Sequence, residues 1–145
     1  MFASTYPNRN SAQGHRGGIY QQMGVEIQVA GASPHGLVAM LFDGLMESLA
    51  QARGAIRSND RAGKGMAISR AVRIVEEGLR SSLNTGAGGK LARDLDELYT
   101  YVCVRLTQAN LRSDEGALDE CQRLMQPLRE AWLAIADQTH SGALR

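Results

Sequence analysis

Apolar residues recur along this chain in four long stretches at three- and four-residue steps, the period of an α-helix with one buried side. In the first, Leu37, Leu41, Leu45, Leu49, Ala52 and Ile56 line up, flanked by Val38 and Phe42, and the pattern stops at Ser58, Asn59 and Asp60. Ser33 followed by Pro34 marks its start: serine caps a free N–H of the first turn, and proline's fixed φ suits the first helical position. At 1.5 Å per residue the helix should be roughly 39 Å long.

The second stretch places Ile68, Val72, Val75, Leu79 and Leu83 on one arc, opposite Arg70, Arg73, Glu77 and Arg80. Asn84, Thr85, Gly86, Ala87, Gly88 and Gly89 end it, because glycine removes side chains and permits positive φ. Leu91, Leu95, Leu98, Val102, Leu106 and Ala109 mark a third helix ending near Asn110. A fourth, starting near Ser113 or Asp114, carries Leu118, Cys121, Leu124, Met125, Leu128, Trp132 and Ile135 on one arc. Pro127 lies inside it at the solvent edge, where its missing N–H would otherwise bond the Arg123 carbonyl, so the helix is expected to kink or lose pairing there. No stretch has the sustained β-branched alternation of a hairpin. Four amphipathic helices with short connections predict an all-α fold, an antiparallel up-and-down bundle.

Residues 1–18 are rich in Ser, Asn, Gly and Pro with little to pack, and are expected to form a disordered tail. Between 19 and 30, Ile19, Met23 and Ile27 suit a helix, whereas Val25, Ile27 and Val29 alternate and Gly24 weakens a helix. A short extra helix and an irregular segment both fit. The expected organisation is a tail over 1–18, a helical domain over 19–138 and a flexible C-terminal tail over 139–145. The 145 residues carry 16 Lys+Arg against 15 Asp+Glu, a formal net charge of +1, which provides no broad footprint for nucleic-acid phosphates. The longest apolar run, Leu37 to Phe42, is far too short for a membrane span, and the opening residues lack the apolar centre of a secretory signal. A cytoplasmic protein that inserts in no membrane is the expectation.

Candidate chemistry is sparse. Gly86-Ala87-Gly88-Gly89-Lys90 resembles part of a phosphate-binding loop, but Asn84 replaces its first glycine, Leu91 its Ser or Thr, and no strand precedes it. Cys103 and Cys121 show no metal or disulfide spacing and read as small core residues. His15, His35 and His140 are isolated; His35, in a first helical turn, reads as solvated. Asp94, Asp96 and Glu97 complement the positive end of the third helix and so have a structural explanation. No nucleophile, metal site or cofactor is indicated, and the chain is not read as an enzyme. A second apolar face on the third helix, Tyr101, Val104 and Leu111 beside Gln108, is more informative. Either this helix is central with both faces buried, or the surplus face lines a groove for another chain. Arg105 borders the main arc, within reach of a carboxylate such as Asp94 or a partner's carbonyl. The Arg70, Arg73 and Arg80 stripe alternates with Glu76 and Glu77 and reads as a salt-bridged solvent face.

The chain resembles the flagellar secretion chaperone (FliS) family from Tyr20 to Trp132. The resemblance is carried by Ala32-Ser33-Pro34, Leu37 to Gly44, Lys64-Gly65 with Ile68 to Ala71, Leu98 to Val102 with Arg105 to Asp114, and Leu128 to Trp132. Thr100, Cys103, Val104 and Pro127 depart from the family's usual residues. The resemblance implies a cytoplasmic export chaperone that binds the disordered C-terminal segment of flagellin, blocks premature polymerisation and passes it to the flagellar export gate, with other flagellar regulators as further partners. It also implies an N-terminal segment that lies over part of the client surface. The residues expected to line or border that surface are Ile19, Tyr20, Met40, Tyr99, Tyr101, Val102, Arg105, Gln108 and Leu111. Two alternatives are a small helical adaptor for a folded partner and a ferritin-like metal enzyme; the second would need inward-facing Glu and His.

Overall fold

In the computed structural model, which describes residues 33–83 and 86–143 with side chains as far as Ile135, four antiparallel helices form a ring. Helix α1 (Pro34–Arg57) packs on α2 (Arg61–Arg73) and on α4 (Glu115–Ala143); α3 (Gly89–Arg112) closes the ring between α2 and α4. Ser33 caps α1 by accepting from the Gly36 N–H at 3.0 Å, with Pro34 at the first helical position. Asn59 then turns the chain with a φ of 58°, a left-handed conformation that Asn tolerates, and Asp60 caps α2 by accepting from Gly63 N–H at 2.9 Å.

The core is one cluster drawn from every helix: Leu41, Leu45 and Leu49 of α1, Ile68 and Ala71 of α2, Val102 and Leu106 of α3, and Leu118, Cys121 and Met125 of α4. At roughly 1.5–3 kcal/mol per buried aliphatic side chain, this cluster is the main favourable contribution to folding. Polar ties join each neighbouring pair of helices. Arg53 pairs with Asp119 at 2.5 Å and Arg129 with Asp43 at 2.6 Å across α1 and α4, and Arg70 with Glu47 at 3.0 Å across α1 and α2. The basic stripe of α2 is salt-bridged as its alternation with glutamates predicts, with Arg80 bonding Glu76 at 2.7 Å and reaching Asp96 of α3 at 2.6 Å.

Several details depart from the expectations. The second helix does not hold one pitch: Ile74–Arg80 continues α2 as a π-helix, bringing Gly78 so close to α1 that a Cβ there would stand 2.9 Å from Leu41 Cδ1. Helix α3 begins earlier than expected, so Asp94 and Asp96 are not in its first turn; they serve Lys90 and Arg80 instead. Leu91 is 69% exposed and lies outside the core. Its angular position matches that of buried Ala109, so its place at the end of the helix, rather than its face, keeps it out of the packing. Pro127 neither ends α4 nor is buried; the helix runs through it to Ala143, into the 139–145 segment expected as a tail. The expectations for residues 1–30 lie outside the described residues.

His35 is the clearest correction. It is not a solvated side chain. Its ring stacks on Trp132 with centroids 4.1 Å apart and planes at 11°, its Nε2 lies 2.8 Å from the Trp132 carbonyl oxygen, and Trp132 Nε1 donates to the His35 carbonyl at 3.0 Å. Because the Trp132 oxygen can only accept, Nε2 must carry the proton. This reciprocal pair fastens the start of α1 to the later turns of α4.

Candidate partner-binding surface

The outer face of α3 carries a row of side chains that the core does not use. Tyr101, Val104 and Leu111 are 43%, 49% and 79% exposed, and half-buried Gln108 lies between the last two. Their steps of three, four and three residues alternate like the seam positions of a coiled coil, and the row is about 15 Å long. On the inner side of the same helix, Val102, Leu106 and Ala109 are sealed in the core. The helix is therefore two-sided, with one stripe in the core and a second facing outward.

A polar network stiffens this outer face. Glu120 of α4 accepts from Tyr101 Oη at 2.5 Å through Oε2 and from Arg105 Nε at 2.7 Å through Oε1. Arg105 Nη1 in turn donates to Gln108 Oε1 at 2.7 Å. These bonds hold the Glu120 carboxyl below its ordinary range, the Tyr101 hydrogen bond contributing most and Arg105 next. The same Glu120 contacts raise the Tyr101 phenol and the Arg105 guanidinium above their ordinary values. At neutral pH the network is one carboxylate holding one cation and one phenol, so the seam's polar edge is preorganised.

The expected site residues divide into four groups. Tyr101, Arg105, Gln108 and Leu111 come together as one surface. Tyr99 and Val102 do not belong to it: both are buried in the core cluster, because their angular positions point at α2 and α4 rather than outward. Met40 is half-buried against the core on α1, across the bundle from the seam. Ile19 and Tyr20 lie outside the described residues. Arg105 finds a carboxylate as expected, but it is Glu120 and not Asp94. Glu120 itself was missed, since nothing in the α4 pattern distinguishes it from other solvent-side glutamates.

Cys121 is a core residue, whereas Cys103 is half-buried against the core. Burial pushes the Cys121 thiol up to about 12 and that of Cys103 up to about 11, with nearby Glu76 contributing at Cys103, so neither is a reactive thiolate at neutral pH. Among the described residues no three His, Cys, Asp or Glu side chains gather as a metal site requires, and no helix is long and apolar enough to cross a membrane.

A sequence model of the flagellar protein FliS matches residues 17–139, a span that includes all of α1, α2 and α3 and most of α4. The chain belongs to the FliS family. Its similarity to the flagellar secretion chaperone FliS of Salmonella typhimurium is 44% identity over 117 residues, 81% of this chain and 87% of that protein. The flagellar secretion chaperone FliSB of Pseudomonas aeruginosa is 42% identical over 117 residues, 81% of this chain and 92% of its own length. A more distant FliS, from Bacillus subtilis, is 32% identical over 113 residues, 78% and 80% of the two chains. The FliS match begins at residue 17, ahead of Ile19 and Tyr20.

Proposed function

We propose that this chain is a cytoplasmic flagellar export chaperone whose client is flagellin. It binds the disordered C-terminal segment of flagellin, keeps it from polymerising prematurely, and delivers it to the flagellar type III export apparatus; contacts with the export gate and other flagellar regulators accompany that role. Family membership supports the chaperone role, and the exposed seam of α3 is the observation that carries the binding mode. A segment with apolar residues at helical spacing can fold onto Tyr101, Val104 and Leu111, burying its anchors and theirs. Ordering the segment opposes binding, which keeps the complex releasable without any covalent step. The chain acts here as a binder and not as an enzyme.

The test is co-elution on size-exclusion chromatography with intact flagellin and with flagellin lacking its C-terminal segment. The proposal expects a complex with the first and none with the second. Equal binding of both would instead favour an adaptor that recognises a folded partner.

A further inference from the structure

Within the seam, Gln108 differs from its neighbours in being polar, and its amide is oriented by a chain of hydrogen bonds that begins on another helix. Glu120 fixes Arg105 through Nε, and Arg105 Nη1 donates to Gln108 Oε1 at 2.7 Å. A guanidinium has donors only, so the amide edge facing Arg105 must be the carbonyl oxygen. The NH2 group is thereby turned away from Arg105 and left for whatever lies over the seam. Among the described residues it donates to nothing.

We propose that Gln108 sets the register of the bound client, taking segments that place a side-chain oxygen acceptor (Asn, Gln, Asp, Ser or Thr) opposite its NH2 group. The inference rests on reading the outer face of α3 as the flagellin site. A client that docks as a helix uses its own backbone carbonyls internally, so the acceptor must come from a side chain. In the matching register the amide exchanges water for a protein partner. In a register displaced by one turn, a leucine-type anchor covers the NH2 group and leaves its donors unsatisfied, a penalty of about tenfold in affinity or more. A single polar residue in an apolar seam acts this way in coiled coils, trading some affinity for one alignment. Glu120 is the positioning residue: without its carboxylate Arg105 is released, and the amide can present either edge.

The experiment is calorimetric titration of the full chain with a synthetic peptide spanning the C-terminal segment of flagellin from the same organism, each Asn, Gln, Asp, Ser and Thr being replaced singly by Ala. Against wild type, one replacement should weaken binding about tenfold while its neighbours have little effect. Against Gln108→Leu, that replacement should become neutral; should Gln108→Leu melt early, Gln108→Met gives the same readout, since it keeps the unbranched stem and carries no N–H donor. Glu120→Gln should shrink the discrimination with both helical content and melting temperature near wild type. If the peptide binds wild type and the variants return the same replacement profile, the register role is overturned and the proposed function stands. If the peptide does not bind wild type at all, both fall.

Discussion

Two leucines on α3 offer a direct test of its two-sidedness. Leu106 is fully buried and Leu111 is 79% exposed, on the same helix, with the same side chain. Truncating each to alanine removes the same atoms and changes helix propensity by the same small amount, so any difference in cost comes from burial. Leu106→Ala leaves a cavity in the core cluster and should cost about 3 kcal/mol, within the range seen for buried leucines. Leu111→Ala should change stability by no more than about 0.5 kcal/mol. For a domain of this size, about 3 kcal/mol lowers the melting temperature by roughly 10 °C, whereas the exposed truncation should shift it by roughly 2 °C at most. Circular dichroism at 222 nm, followed through heating and through a urea titration, reads both. If Leu111→Ala melts as early as Leu106→Ala, the outer stripe is core in solution and the binding surface argued from it does not exist.

Other consequences follow from single groups. Trp132→Phe keeps the stack on His35 but removes the Nε1 donor to the His35 carbonyl, so it should cost about 1 kcal/mol in urea unfolding; a cost near zero would mean the latch is open in solution. Ser48 is buried and among the described residues its Oγ has no hydrogen-bond partner, so Ser48→Ala should raise stability by about 1 kcal/mol; destabilisation would show that the hydroxyl is satisfied after all. Tyr99 is buried and its phenol pushed up to about 12, from an ordinary value of 10. A raised folded-state value means stability is fully present below about pH 10 and is lost as the pH climbs toward about 12. Tyr99→Phe should flatten that alkaline decline in the urea midpoint, and parallel pH profiles would contradict it.

How much could be read from the chain depended on whether a feature is local. The start of α1 is written in Ser33-Pro34, the breaks in Asn59-Asp60 and the glycine run, and the four core stripes in their spacing. The outward stripe of Tyr101, Val104 and Leu111 was legible for the same reason, since a helical wheel needs only the period. What the wheel could not assign is which positions the neighbouring helices seal: Tyr99 falls under cover, and Leu91, on the core arc but at the helix end, does not. Partners distant in sequence were invisible. His35 meets Trp132 across 97 positions, and Glu120 reaches Tyr101 and Arg105 from another helix, so no local spacing announces either. The π-helical turn at Ile74–Arg80 likewise has no residue signature, and the close approach of Gly78 to Leu41 that goes with it is a contact between helices.

The most direct measurement of the central claim is the affinity of the flagellin C-terminal peptide for wild type and for Leu111→Asp, taken by calorimetry beside their melting curves. A charge placed in an apolar contact should weaken binding about tenfold or more while the melting temperature stays within a few degrees of wild type. Unchanged affinity in a well-folded Leu111→Asp protein would show that the client is held elsewhere, and would contradict the account.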